Sequence, residues 1–352
     1  MPGSHNSRKI PMKELNNVVT YARGRCPRQR NSTQYVSCWI EKDVLDGEVV
    51  DAFVMILRTI GCQWSRESGC FMCGYINDAA GHVVGEKELL HQFSEAMKKY
   101  SNEKIVKIFT SGSFINEEEV QREVQNSILS DLAEKTENII FETRPEFVTK
   151  ERLENLEGIK KIEIAIGLES ASDFVLEHSI NKGFRVADYE KAANILGEMK
   201  IPIKTYLLVK PPFLTEKEAI GDAVSSARFA SRYSKTISYN PVNVQRHTVV
   251  ERLWRNGEYR PPWLWSVVEI LQEASNIDGV RVMSSPTGGG TRRGANNCGT
   301  CDREVLRAIE EFSLSQDSSI LENLDCECRV QWREILNVEG FAHTHGDLYH
   351  LV

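Results

Sequence analysis

The chain has 352 residues, 41% of them apolar, a formal net charge of −7 and nine cysteines. Its length predicts about two domains, and its apolar content is enough for a sizeable core. No apolar run approaches the ~18 residues that a membrane span needs and no signal peptide is visible, so we expect a cytoplasmic protein without a membrane segment.

The amino-terminal region is basic although the whole chain is acidic. Residues 1–35 hold seven Arg or Lys against one acid, and Arg23, Arg25, Arg28 and Arg30 lie within ten residues. A local basic patch can hold phosphate whatever the charge of the whole chain. A solvated polar tail explains the same composition equally well.

From residue 49 onward, β-branched apolar runs alternate with longer amphipathic stretches. The predicted strands are Val49–Ile60, Ile105–Gly112, Asn138–Arg144, Lys161–Glu169, Ile201–Lys210 and Thr236–Val244. The predicted helices between them are Glu86–Tyr100, Glu117–Thr136, Thr149–Leu156, Ala187–Lys200 and Thr215–Arg232. Thr215 and Glu218 have the spacing of a capping box at a helix start.

Six such units predict an α/β fold with a parallel sheet and right-handed crossovers. They are too few for an eight-unit barrel, so a partial barrel and a doubly wound sheet both remain open. In either fold the site lies at the carboxyl ends of the strands. We expect a basic amino-terminal extension over 1–48, the repeated units over 49–250 and a smaller carboxyl-terminal domain over 251–352.

Three cysteines follow the first predicted strand with the spacing C-x7-C-x2-C: Cys62, Cys70 and Cys73. In a reducing cytosol, clustered cysteines indicate metal or iron–sulfur ligands rather than a disulfide frame. Structural zinc and iron–sulfur cubanes both usually take four protein ligands. Three thiolates on one loop leave one iron of a cubane open for a substrate or cofactor. The alternative is a zinc or redox set of cysteines.

A cysteine loop in this position resembles that of the radical S-adenosylmethionine (SAM) superfamily, whose usual spacing is C-x3-C-x2-C. The longer spacing is similar to the branch that contains the elongator catalytic subunit. The resemblance implies a partial (β/α)6 barrel, a 4Fe-4S cluster on Cys62, Cys70 and Cys73, bound SAM, and an electron donor such as ferredoxin or flavodoxin. The reduced cluster would cleave SAM to a 5′-deoxyadenosyl radical.

The same resemblance implies a set of SAM contacts at the ends of successive strands. Ser111, Gly112 and Ser113 would approach the SAM amino group, and Arg144 would suit a carboxylate. Glu169 would accept from the amino group or the ribose. Met72 stands where an aromatic residue usually faces adenine, and Asn243 completes the set. Each of the loop residues has an alternative interpretation as a plain turn or a structural ion-pair partner.

A second cysteine group lies near the carboxyl terminus, with Cys298-x2-Cys301 separated by 24 residues from Cys326-x-Cys328. Two close pairs predict a tetrahedral four-thiolate zinc site, with a helix over Arg303–Phe312 between them. An auxiliary iron–sulfur cluster is the alternative. Cys26 and Cys38 have no assigned role.

Several segments together resemble the archaeosine-forming radical SAM family of archaeal tRNA modification. They are the C-x7-C-x2-C loop, Ile180–Phe184, Asn240–Val244, Tyr259–Ser266 and the Cys-x2-Cys…Cys-x-Cys tail. The resemblance implies a lyase-type carbon–nitrogen cleavage on a lysine-bearing 7-deazaguanine at position 15 of tRNA. A lysine-transferring tRNA modification enzyme would be its partner.

Basic and aromatic residues after the barrel partly support the prediction that the chain binds RNA. Arg246, His247, Arg252, Arg255, Arg260, Arg292 and Arg293 would follow phosphates. Trp254, Trp263 and Trp265 would either stack on bases or pack in the core. Two other functions remain open: a different radical SAM tRNA modifier, elongator-like or methylthiotransferase-like, and a non-catalytic zinc-containing RNA-binding protein.

Overall fold

The fold is built on one eight-stranded sheet whose strands lie side by side in chain order. The computed structural model describes residues 12–24, 30–156, 159 and 161–341. The strands are β1 Ser37–Leu45, β2 Glu48–Ile56, β3 Ile105–Phe109, β4 Asn138–Thr143, β5 Ile162–Glu169, β6 Ile203–Val209, β7 Thr236–Pro241 and β8 Arg281–Ser284. The first pair is antiparallel and every later pair is parallel.

The six predicted strands are confirmed as β2 to β7, and two strands were missed. Strand β1 lies in the stretch that we expected to be a basic extension, and the four-residue β8 lies after residue 250. Between β1 and β2, Asp46 and Gly47 adopt φ values of 52° and 87°. Asp-Gly is a strong signal for this two-residue hairpin turn, so the sequence did contain a sign of β1.

The helices follow the strands and cover the sheet. They are α1 Met12–Arg23, α2 Gln63–Glu67, α3 Glu86–Met97, α4 Arg122–Lys135, α5 Lys150–Leu153, α6 Val186–Glu198, α7 Glu216–Ala230, α8 Val249–Arg255, α9 Leu264–Ala274, α10 Asp302–Ser315, α11 Ser319–Glu322 and α12 Cys328–Val338. A π-helical turn spans Val175–Ile180. In the part of the chain that the structure describes, no helix is long and apolar enough to cross a membrane.

Most helix predictions are confirmed within a few residues. The capping box is present, because Thr215 Oγ1 accepts from the Glu218 amide (3.2 Å) and Glu218 Oε2 accepts from the Thr215 amide (2.9 Å). The predicted helix that began at Glu117 instead begins at Arg122. Hydrogen bonds from the Glu119 and Val120 amides to Asn116 O form a tight turn just before it.

The two faces of the sheet differ in chemistry. On β5, Ile164 and Ile166 point into the main apolar core under the helices, while Ala165 belongs to a second, smaller cluster on the other face. By the two-residue period of a strand, Glu163 and Glu169 share the face of Ala165. Side chains from α9, α10 and α12 join the main core as well. The division of the chain into three regions stays a prediction.

A buried group of charges shows that the sheet curls into a partial barrel. Asp43 on β1 contacts Lys107 on β3 (2.5 Å), Lys204 on β6 (3.6 Å) and Arg281 on β8 (2.8 Å). Strands β1 and β8 are the two edges of the sheet. An ion pair can join them only if the sheet curls until its edges approach each other. The structure therefore confirms the partial barrel over the doubly wound sheet.

Replacing Asp43 by Asn is expected to lower the free energy of unfolding by about 3–5 kcal/mol, the usual cost of leaving buried partner charges uncompensated. Burial by itself raises the pKa of Asp43, but Lys204, Lys107 and Arg281 outweigh it and hold the pKa far below its ordinary value. The stabilisation is therefore present above the unfolded-state pKa of about 4 and is lost as pH falls below it.

Urea unfolding at pH 7 and at pH 3 measures this difference. The control is Asp51→Asn, since Asp51 pairs with Lys42 at 2.8 Å on the surface, where such a pair contributes less than about 1 kcal/mol. Equal losses in the two variants would show that the buried ion pairs do not hold the barrel closed.

Candidate active site and metal centre

The first cysteine group lies in the loop that leaves the carboxyl end of β2. Cys62 immediately precedes the short helix α2, and the Cys73 amide donates to Cys70 O (3.2 Å). All three thiols are half-buried. Burial raises the pKa of the Cys70 thiol, while Lys182 and Arg144 act against that rise; burial also raises the pKa of Cys73 to about 12. The loop thus presents thiols beside two cations.

The segment Ile180–Phe184, which carries part of the family resemblance, clamps this loop in place. The Phe71 amide donates to Ile180 O (2.9 Å), and Asn181 Nδ2 donates to Gly69 O (2.9 Å). The Trp64 indole donates to Asn181 O (2.8 Å). Gly183 has a φ of +77°, and a Cβ there would stand 2.5 Å from the Trp64 ring. Only glycine fits this position, so the motif serves to position the cysteine loop.

Glu169 and Arg144, both predicted SAM contacts, already have partners within the chain. Lys182 Nζ pairs with Glu169 Oε1 (2.8 Å), and Glu169 adopts a φ of 70°. Arg144 pairs with Glu146 and donates from both terminal nitrogens to Lys182 O (3.2 Å). The two residues lie at the ends of neighbouring strands, so the structure brings them together with the cysteine loop.

The loop after β3 is held by two buried carboxyls that the sequence analysis missed. Glu142 Oε1 accepts from the amides of Thr110 and Ser111 (both 3.1 Å). Glu119 Oε2 accepts from the Ser113 amide (3.0 Å), and its carboxyl occupies the space that a side chain at residue 112 would need. Residue 112 must therefore be glycine to leave room for the Glu119 carboxyl, whether or not a ligand binds to this loop. Burial raises the pKa of each glutamate to about 7.

The remaining predicted SAM contacts are Met72, within the cysteine loop itself, Ser113 and Asn243. Met72 is half-buried against an apolar cluster of residues that includes Phe71. Ser113 is buried, and its hydroxyl accepts from the Arg144 amide (2.9 Å). Asn243 is half-buried, with its amide group 3.5 Å from where a Cβ on Gly288 would stand. Their roles toward a cofactor stay predictions.

Glu119→Gln is expected to change the pH dependence of stability. Because burial raises the pKa of Glu119 from 4.5 to about 7, the folded state holds this proton more tightly than the unfolded state. The wild type therefore loses stability relative to the variant as pH rises from about 4.5 to about 7, by on the order of 2–3 kcal/mol.

Urea titrations at pH 4.5, 6 and 8 measure the effect, with Glu118→Gln as the control because Glu118 is exposed and pairs with Arg66 (2.6 Å). Parallel pH profiles for the wild type and Glu119→Gln would contradict the predicted role of this carboxyl.

The second cysteine group is a compact metal site. The sulfurs of Cys298, Cys301, Cys326 and Cys328 all lie within 4.8 Å of one another. Cys298 is 3.9 Å from Cys301 and 3.8 Å from Cys326, and Cys301 is 3.7 Å from Cys328. Four sulfurs at about 2.3 Å from a central zinc in a tetrahedron stand about 3.8 Å apart. The donor set therefore has the size and geometry of a single tetrahedral ion.

Two helices and two side-chain donors support this site. Cys301 directly precedes α10 and Cys328 begins α12, so helix dipoles favour negative sulfur there. The Trp265 indole lies 3.2 Å from Cys328 Sγ, and Asn297 Nδ2 lies 3.4 Å from Cys301 Sγ. Backbone amides of Cys301 and Thr300 lower the pKa of Cys298 to about 6, whereas burial raises the pKa of Cys301 and Cys328.

Other residues singled out in the sequence fall in different places. Trp263 and Trp265 are buried in the main core, which confirms their packing role, and Trp254 stacks under the Arg293 guanidinium. Cys38 is half-buried on β1. Cys26, together with Arg25 and Arg28, lies outside the described residues.

The curled parallel sheet and the four-cysteine site define an α/β partial-barrel protein with a metal-binding centre. The chain is 39% identical to archaeosine synthase subunit beta of Methanosarcina acetivorans over 94% of its own length and 98% of the relative. It is 41% identical to archaeosine synthase subunit beta of Thermococcus kodakarensis over 85% of its length and 95% of that relative.

The chain therefore belongs to the archaeosine synthase subunit beta family, which confirms the predicted family. The solved structure of methylornithine synthase overlaps it with a TM-score of 0.46 at 11% identity and covers 94% of both chains. No family model matches the chain.

Proposed function

We propose that this chain completes archaeosine in tRNA by a radical SAM reaction. The substrate is a lysine-bearing 7-deazaguanine at position 15, and the reaction cleaves a carbon–nitrogen bond so that the amidine stays on the base. Membership of the archaeosine synthase subunit beta family, at 39% identity over nearly full length, is the observation that carries the proposal.

The first cysteine loop fits a 4Fe-4S cluster better than a single ion. Among the described residues, the sulfurs of the four carboxyl-terminal cysteines all lie within 4.8 Å of one another. The three sulfurs of the first group are not gathered this closely. A cubane is wider than a single ion, so its cysteine ligands stand further apart. Cys62, Cys70 and Cys73 would hold it, and with SAM it would supply the radical that removes a hydrogen from the lysine side chain.

Charged residues around the loop are suited to hold an anionic cluster and the groups beside it. Arg144 and Lys182 both favour ionised thiols at Cys70. Lys182 Nζ lies 2.8 Å from Glu169 Oε1 and so orients this side chain, whose oxygens can also accept from an amino or hydroxyl group of a ligand. Glu142 and Glu119 fix the loop of Ser111, Gly112 and Ser113 by backbone hydrogen bonds, so its backbone can come close to a ligand.

The four-cysteine site would hold structural zinc. Sulfur separations of 3.7–3.9 Å match a single tetrahedral ion, and the four ligands leave no open position for a substrate. The ion would join the loop before α10 to the start of α12, and so fix the carboxyl-terminal helices against the barrel.

The name of the relatives also supports the proposal that this chain acts together with a second protein subunit. They are described as subunit beta, which favours a second subunit in the active assembly. We propose that this subunit is the lysine-transferring tRNA modification enzyme, and that a ferredoxin or flavodoxin delivers the electron. Tight coupling of the two enzymes would pass the tRNA directly from one active site to the next.

Anaerobic preparation of the full chain tests the cofactor assignment. The protein is expected to be brown, to contain about four irons in addition to one zinc, and to cleave SAM to 5′-deoxyadenosine when reduced. A colourless protein that binds tRNA and zinc without iron would overturn the proposal and favour the non-catalytic RNA-binding alternative. Full iron without any SAM cleavage would also contradict it.

A further inference from the structure

A cleft of about 740 Å³ opens beside the first cysteine loop. Three segments of the chain form it: the region around α1, the residues directly after Cys73, and the loops after β7 and β8. Its lining includes Arg30, Tyr75, Arg246, His247 and Arg293. We call it the basic cleft. Its volume lies in the range of sites that enclose small organic ligands, and its lining includes Gly74, which directly follows the proposed cluster ligand Cys73.

Hydrogen bonds between neighbouring loops fix the walls of the basic cleft. The Gly74 amide donates to Gln245 Oε1 (2.5 Å), and Asn77 Nδ2 donates to Arg246 O (3.0 Å). The Val244 amide donates to Arg293 O (2.7 Å). These bonds tie the loop after β7 to both the cysteine loop and the part of the loop after β8 that contains Arg293. The cleft is therefore a preformed surface.

The charge of the basic cleft is opposite to that of the whole chain. Four arginines and one aspartate line it, and although Arg293 pairs with Glu251 (2.7 Å), the lining stays positive, whereas the chain as a whole carries −7. Arg246 is exposed and makes no ion pair among the described residues, and Arg30 is exposed, with a long 3.7 Å pair to Asp78 and a 3.3 Å hydrogen bond from Nε to Asn77 O. Such cations can bind the phosphates of a polyanion at little cost to the fold.

Tyr75 contributes an aromatic ring to the lining of the same cleft. Its side chain is 47% exposed, which is unusual for a tyrosine so close to a core loop, and it stands two residues from Cys73. Neighbouring apolar side chains such as Phe71 and Ile76 are buried. An exposed aromatic ring bordered by cations is the arrangement with which proteins bind single-stranded nucleotides, by stacking on bases and contacting phosphates.

We propose that the basic cleft binds the sugar–phosphate backbone of RNA at the substrate nucleotide, and that Tyr75 stacks on the base after it leaves the tRNA stack. Arg30 and Arg246 contact the phosphates, so that the base is directed toward Cys73 and the proposed cluster. This inference rests on the proposed function, in which tRNA is the substrate. Base extrusion of this kind is how enzymes reach atoms buried in a folded nucleic acid.

Salt-dependent binding of an unmodified tRNA transcript to the full chain tests the phosphate contacts. The double variant Arg30→Ala, Arg246→Ala is expected to bind about tenfold more weakly, with a log–log salt slope shallower by about 2. The control is Arg228→Ala, Arg333→Ala, because these exposed arginines on α7 and α12 do not line the cleft. The control should bind as the wild type does.

The outcomes separate this inference from the proposed function. Equal binding by the cleft variant and the wild type would overturn the cleft assignment and leave the tRNA substrate standing. A wild type that binds no tRNA would overturn both. Unchanged tRNA binding with weaker association of the second subunit would assign the cleft to an acidic protein surface instead.

Two substitutions of Tyr75 test the stacking. Tyr75→Leu is expected to raise KM for tRNA about tenfold with cluster iron unchanged, whereas Tyr75→Phe should keep the wild-type KM because it retains the ring. Equal loss in both variants would show that the hydroxyl, not the ring, matters, and would contradict stacking. Unchanged KM in both would contradict any contact with the base.

Discussion

Simultaneous replacement of Cys62, Cys70 and Cys73 by Ala is expected to abolish archaeosine formation and to remove the cluster iron while leaving one metal ion at the second site. The loss should be complete, because residues 62–75 hold no other cysteine or histidine to bind the open-iron cluster on which SAM cleavage depends. Iron and acid-labile sulfide analysis, together with SAM cleavage, measures the result.

The matched control for this variant is Cys38→Ala. Cys38 is also a half-buried free cysteine, but it lies on β1, away from the loop. It should retain iron, SAM cleavage and activity. If the triple variant keeps its iron and still cleaves SAM, the cluster is bound elsewhere, and the assignment of the first cysteine group is wrong.

Cys301→Ala is expected to cause the largest loss of stability in the chain. Structural zinc binds with an apparent free energy of about 10–16 kcal/mol in small domains, and loss of one ligand forfeits much of it. Cys301 is buried between the start of α10 and Cys328, so the variant also leaves a cavity. We expect Tm to fall by more than about 10 °C and zinc to drop well below one per chain.

Thr300→Ala is the control, since Thr300 lies between the ligands and its side chain is exposed. It should retain zinc and Tm. Iron and sulfide at this site in the triple variant of the first group would contradict zinc and favour the auxiliary cluster.

The parallel sheet could be predicted because its strands carry a local signal. The outward side chains of β4 and β5, such as Phe141, Ile164 and Ile166, are apolar and pack under amphipathic helices. Strand β1 lacks that apolar pattern, since it carries Glu41 and Asp43, and its sequence therefore resembles a polar surface segment. In the structure both carboxylates pair with Lys107. One charged partner of Asp43 is Arg281, 238 residues further along the chain. No local pattern reports such a contact.

In the candidate site too, local features could be predicted from the sequence and long-range contacts could not. Cysteine spacing is local, so the sequence predicts both groups, and the four-cysteine group is confirmed as a compact site. Gly112 was predicted to approach the SAM amino group, which stays a prediction; its contact with the Glu119 carboxyl could not be predicted, because no local pattern links the two residues. Likewise, Lys182 was visible in its motif, but its ion pair with Glu169 exists only once two strand ends meet.

The most direct test of the account is the conversion of tRNA that carries the lysine-bearing 7-deazaguanine at position 15. The anaerobic, reduced full chain is incubated with this tRNA and SAM, and the nucleosides are analysed by mass spectrometry. We predict that the lysine adduct disappears, archaeosine appears, and 5′-deoxyadenosine forms. An unchanged adduct in a reaction that still cleaves SAM would contradict the account and assign the chain to another substrate.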